Sequence, residues 1–154
     1  MAEIQTVSVD VVRSATVQAL KERVSEEDIN KLLDAKDSAK TPAPLGATAS
    51  LTFVAVWGVV KCEPATQPWI YDEQVWGIGA AAIQAGGFMY TAYDSWDAFF
   101  RETAGFHVQG IASGGGIFQI NWFNSSGVPV GQFNGVAGGI SAFEAGGKGK
   151  WKRK

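Results

Sequence analysis

Asp94 and Asp97, two carboxylates three residues apart, are the nearest this 154-residue chain comes to a paired-acid site. Glycoside hydrolysis needs such a pair, but with the two groups facing each other across a cleft. These two lie in the run Asp94-Ser95-Trp96-Asp97-Ala98-Phe99-Phe100-Arg101-Glu102, which reads as one short helix. There Asp94 is expected to cap the first turn, and Asp97 to pair with Arg101 at i,i+4. His107 is the only histidine, and alternation places it with Gln109 on a polar outer strand face. The only cysteine, Cys62, has no partner for an internal disulfide, and no serine sits in a G-x-S-x-G turn. A zinc or nucleophilic centre would therefore have to be assembled in space from distant residues. Gly77-Ile78-Gly79-Ala80-Ala81-Ala82 matches the loose dinucleotide fingerprint, yet Gly86-Gly87 interrupts the helix that such a turn must open. The glycines around Lys148 lack the order of a phosphate loop. No catalytic residue, metal ligand or cofactor is assigned, and a non-enzymatic protein is expected.

Binding chemistry remains. Residues 46–147 carry Lys61 and Arg101 against seven acids, whereas the last seven residues carry five bases. Lys148, Lys150, Lys152, Arg153 and Lys154, with Trp151 among them, form a basic end able to meet phosphate groups on an anionic lipid surface. A solvated solubility tail is the bland alternative. The six tryptophans divide by context. Trp57, Trp76, Trp96 and Trp122 are expected to fill the core, while Trp69 and Trp151 are expected at the surface, with Trp69 and Tyr71 as candidate ligand contacts. Asn124-Ser125-Ser126 fits a glycosylation acceptor but is more simply a turn.

The elements that position these groups fall into two unlike parts. The first 45 residues contain no glycine and no aromatic residue, and the rest holds all 19 glycines. Val12, Ala15, Ala19 and Leu20 recur at helical spacing, as do Ile29, Leu32 and Leu33, and Ser25-Glu26-Glu27-Asp28 reads as a capping box between two helices. The narrow apolar stripes suit an arm, residues 1–37, that leans on the body, pairs with another copy through residues 9–36, or frays. Pro42 and Pro44 mark a linker over 38–46. Short β-rich segments follow near 48–61, 68–78, 86–93, 106–112, 116–123, 128–134, 138–144 and 147–152. Eight short strands fit over 47–147, and with no long helices between them their connections must be antiparallel hairpins or Greek-key crossings, which predicts a barrel or a sandwich followed by the basic tail 148–154. The clearest hairpin spans 118–133, with Gly127 at the turn position that takes a positive φ. Phe118, Ile120 and Trp122 face one way, and Gln119 and Asn121 the other. Residues 51–57 are apolar on both faces and read as a central strand or one covered by the arm.

Gly114-Gly115-Gly116, the strand ending Asn121-Trp122-Phe123, the turn 124–127, Gly131-Gln132-Phe133 and the closing glycines Gly138-Gly139 and Gly146-Gly147 form a recognisable pattern. It resembles the C-terminal part of the virulence-associated (Vap) protein family of actinobacteria. The resemblance implies a compact eight-stranded Greek-key barrel with one short helix, no catalytic pocket, and a role at host or vesicle membranes. Residues 94–102 would be the counterpart of the helix. Family members are exported with a signal sequence and a disordered leader, whereas the start MAEIQTVSVD lacks a basic, apolar leader and opens a helical arm. Synthesis in the cytoplasm is expected, with export by another route left open.

The sequence thus predicts a binding or effector module acting at anionic membrane surfaces through its basic end. A glycan-binding protein and a membrane-inserting pore-former are the alternatives. Nucleic acid is not favoured as a partner.

Overall fold

A computed structural model describes residues 9–35, 38–112, 116–137 and 143–154. Two helices, α1 (Val9–Leu20) and α2 (Glu26–Asp34), form the arm. The expected cap between them is present: the Ser25 hydroxyl accepts the Asp28 N–H at 3.2 Å, and three acids follow in the positive first turn. Arg13 and Asp34 join the two helices by an ion pair at 2.8 Å.

The body is a closed, mainly antiparallel β-barrel of strands β1 (Leu45–Pro64), β2 (Trp69–Thr91), β3 (Thr103–Ile111), β4 (Ile117–Asn124), β5 (Pro129–Val136), β6 (Phe143–Lys148) and β7 (Lys152–Arg153), with helix α3 (Trp96–Glu102) before β3. The barrel closes on β2. Its first half pairs with β6 through Trp76↔Gly146, and its second half pairs with β5 from Gly86↔Val136 to Thr91↔Gly131. β5, β4, β3 and β6 complete the ring. The segments expected separately at 68–78 and 86–93 are therefore one strand. β1 runs beside β2 from Leu45↔Met89 to Cys62↔Tyr71, and its register shifts at Ala55, whose φ is 64°. There the strand doubles back: a Cβ on Gly58 would strike the Thr52 carbonyl and the Phe53 backbone. The two halves of β1 and of β2, with β3 to β6, make the eight barrel segments. Most of the 138–144 segment, and Gly138-Gly139 with it, lies outside the described residues.

The β4–β5 hairpin follows the turn chemistry of its sequence. Gly127 has φ 78° and donates to Asn124 O, while the Asn124 side chain accepts from the N–H groups of Ser126 and Val128. For α3 the capping residue differs from expectation. Ser95 accepts from Ala98 N, one position after the expected Asp94, because the helix begins at Trp96. Asp97 and Arg101 pair as expected, at 3.2 Å.

The barrel interior is filled by Leu51, Met89, Phe99, Phe118, Trp122 and Phe133 among others. The arm leans on the outer face of β3, β4 and β5. Val12 meets Ile111 and Ile117, while Leu20, Ile29 and Leu33 meet Phe123. Leu32 and Ala35 meet Tyr90. Two expectations change as a result. Gln119 and Asn121 do point away from the core side of β4, but the arm buries them, and His107 is likewise buried. Of residues 51–57, Leu51 and Phe53 point into the core, but Val54 to Trp57 are exposed and not covered by the arm, which packs on β3, β4 and β5.

Candidate functional site

Where β1 doubles back, four large apolar side chains are left in solvent: Val54 70%, Val56 58%, Trp57 44% and Trp76 57% exposed. Their strands carry no charged residue over 46–60 or 74–93. Trp57 and Trp76 are register partners, so their side chains leave the same face of the ribbon. Val59↔Gln74 and Lys61↔Asp72 continue that face along the pair. An open groove of about 640 Å³ follows it, lined by Trp57, Val59, Gln74, Trp76, Lys148 and Lys152. Asp72 and Glu73 complete its polar end.

The basic end is built into the barrel. β7 pairs with the start of β2 through Trp69↔Arg153 and Ile70↔Lys152. Lys154 pairs with Glu63 at 2.6 Å, Lys152 lies 3.6 Å from Glu73, and the Arg153 guanidinium sits 5.1 Å from the centre of the Trp69 ring. Three of the five expected contact bases thus have acidic or aromatic partners within the fold. Lys148 and Lys150 are exposed and make no ion pair among the described residues.

Four aromatic assignments need correction. Trp151, expected at the surface, is 5% exposed, with ring centres 4.9 Å from Phe100, 5.1 Å from Tyr71 and 5.3 Å from Trp122. The reason is that β7 returns along β2 and turns the preceding residue inward. Tyr71, a candidate ligand contact, is fully buried, and burial followed by the nearby Glu73 charge pushes its hydroxyl far above the ordinary range. Trp57 and Trp76, expected inside, are the exposed pair. Trp69 is half-buried, stacked on Phe100 at 5.6 Å. Trp122 is buried as expected. The signal for the exposed pair was present in the repeated Val-Trp-Gly at 56–58 and 75–77 and in the charge-free runs around it. Side-chain type alone does not say that a ribbon of this composition faces water.

The remaining reactive groups are enclosed. Burial, and then Glu63, raises the Cys62 thiol well above its usual range. His107 is lowered to about 4 by burial and then by the charge of Arg23. Among the described residues no group of three or more His, Cys, Asp or Glu could hold a metal ion, and no helix is long and apolar enough to cross a membrane.

Comparison with solved structures places the barrel among known folds. It is similar to the virulence-associated protein VapB from the intracellular pathogen Rhodococcus equi, with TM-score 0.60 and 21% identity over 72% of this chain and 97% of that one. It is also similar to VapD of Rhodococcus equi, with TM-score 0.60 and 18% identity over 71% of this chain and 96% of that one. A search of curated protein sequences returns no match. The sequence profile of the Rhodococcus equi virulence-associated protein matches residues 3–152, arm and barrel together. The chain therefore belongs to the Rhodococcus equi virulence-associated protein family.

Proposed function

We propose that this protein is a non-catalytic module that docks peripherally on anionic lipid surfaces through the β1–β2 ribbon. The observation that carries the reading is the exposed Trp57–Trp76 pair on the charge-free stretch of the ribbon, with Lys148 and Lys152, and the acids Asp72 and Glu73, lining the groove beside it. Tryptophan is at home at the boundary between headgroups and acyl chains, where its ring meets apolar matter and its N–H meets water. A lysine near an anionic surface adds about 1 kcal/mol of attraction. Together they describe a shallow insertion of Val54, Val56 and the two indoles, with Lys148 and Lys150 at the phosphate level. This moves the contact expected at residues 148–154 onto the ribbon and keeps only its free lysines.

The test is co-sedimentation of the full chain with anionic and neutral vesicles at low and physiological salt. Binding selective for anionic vesicles, weakened by salt and by K148E/K150E, supports the reading, and equal recovery with neutral vesicles or none with either sinks it. Peripheral docking also predicts no dye leakage, whereas the pore-forming alternative requires it. The glycan alternative has one observation of its own, since a tryptophan pair beside Asp72 and Gln74 is the kind of platform on which a sugar ring stacks. It predicts sugar-dependent quenching of tryptophan fluorescence that salt leaves unchanged.

A further inference from the structure

The outer face of β3, β4 and β5 carries Gln109, Gln119, Asn121, Gln132 and Asn134, all buried beneath the arm. These amides mostly satisfy one another. Gln109 donates to Gln119 at 2.7 Å, Gln119 to Asn134 at 2.9 Å, Gln132 to Asn121 at 2.6 Å and Asn134 to Gln132 at 2.8 Å. The arm supplies two acceptors to them, the Ala15 carbonyl and the Thr16 hydroxyl. Its apolar contacts with the body are three small clusters around this polar centre. An interface with a self-satisfied amide centre can part without leaving orphaned groups, because water replaces the few bonds that cross it.

His107 shares this strand face with Gln109, and among the described residues neither of its ring nitrogens has a hydrogen-bond partner. Two charged groups face it. Glu144 of β6 stands 3.8 Å from Nε2, too far for a hydrogen bond, and Arg23 comes from the turn between α1 and α2. β4 offers the uncharged Asn121 as its register partner. A proton arriving on this ring finds no acceptor within hydrogen-bond distance among the described residues; the exposed Glu144 carboxylate attracts it from 3.8 Å and the Arg23 guanidinium opposes it, and lifting the arm, which meets this strand face at Gln109, would open the ring to water.

We propose that the helical arm is an acid-released cover, docked over the amide face of β3, β4 and β5 while His107 is neutral and lifted from it when His107 takes up a proton. The sign follows from linkage. The covered ring holds its proton only below about 4, against an ordinary value of 6.5. Docking is therefore fully favoured above pH 6.5 and weakens as pH falls from 6.5 towards 4. Between pH 7.5 and pH 5 the ratio of open to closed arm rises by about thirtyfold. This inference stands apart from the lipid-docking reading, since the arm and the ribbon occupy different faces.

The test is hydrogen exchange of the full chain at pH 7.5 and pH 5, expressed as protection relative to the intrinsic exchange rate at each pH. The expected result is a fall of about thirtyfold in α1 and α2 while β4 and β5 keep their protection. His107→Gln should abolish the fall. Arg23→Gln, at an exposed position that leaves the fold intact, should reduce it by relieving the repulsion. The proposal is overturned if arm protection does not change with pH, if arm and strands lose protection together, or if the fall is the same in the wild type and His107→Gln. Should His107→Gln not fold, a fall in arm protection that does not follow the His107 titration, read by NMR on the wild-type chain, overturns it equally.

Discussion

Trp57 and Trp76 stand directly opposite each other on β1 and β2, with both indoles in solvent at the point where the ribbon doubles back. Cross-strand aromatic pairs usually add to a sheet by meeting each other and a covering layer. Here the covering layer, the helical arm, lies on the other side of the barrel. The pair is thus free to meet something outside the chain.

Replacing either tryptophan by alanine should weaken vesicle binding by about tenfold, the equivalent of withdrawing roughly half an aromatic side chain from an apolar phase. Stability should change little, because neither ring is part of the core. Co-sedimentation and thermal unfolding of the same samples separate the two effects. If binding stays intact in the double variant W57A/W76A, the ribbon is not the contact.

Trp151 should behave in the opposite way. Trp151→Ala removes a ring packed among Tyr71, Phe99, Phe100 and Trp122, and should cost about 3–5 kcal/mol in urea unfolding. Trp151→Phe should cost clearly less, since among the described residues the indole N–H has no hydrogen-bond partner to lose. A truncation before this residue would damage the core, so the part played by the bases is better measured by charge substitution.

Gly131 lies against the ring of Phe99, so close that a Cβ there would overlap it. Phe99 cannot step aside, because Trp96, Phe100, Trp122 and Trp151 pack around it. Gly131→Ala should therefore destabilise the barrel by about 1–3 kcal/mol, although alanine ordinarily suits a strand better than glycine. An unchanged urea midpoint would show that the ring has room.

Thr16 links the arm to the amide row, donating to Val12 O and accepting from both Gln119 and Gln132. Thr16→Val keeps the shape and removes the oxygen. It should weaken arm docking by about 1–3 kcal/mol, read as faster exchange in α1 with the barrel strands unaffected. Exchange at the wild-type rate would mean that the apolar clusters alone hold the arm.

Cys62 is buried, and its thiol is held far above its ordinary titration range. Native protein should resist a thiol reagent at neutral pH and react only at the rate of unfolding. Prompt labelling of the native chain would contradict its burial.

Local chemistry made much of the architecture readable. The divide between a glycine-free, aromatic-free front and a glycine-rich body, the Ser25 cap, the turn at Gly127 and the Asp97–Arg101 pair all rest on residues within a few positions of one another. The family pattern rests on the same short-range features. The shift of the α3 cap from Asp94 to Ser95 shows the limit even there, because adjacent residues compete for one role.

Facing direction needed the tertiary structure. Alternation along a strand says which residues share a face, as with Gln119 and Asn121, but not whether that face meets water or another layer. Closure of the ring on β2, the doubling of β1 at Ala55 and the docking of the arm over β3, β4 and β5 decided it. These contacts join residues scores of positions apart. They buried polar Gln119, His107 and Gln132, turned Trp151 inward, and left Trp57 and Trp76 outside. Burial belongs to the whole packed chain, and no stretch of sequence carries it alone.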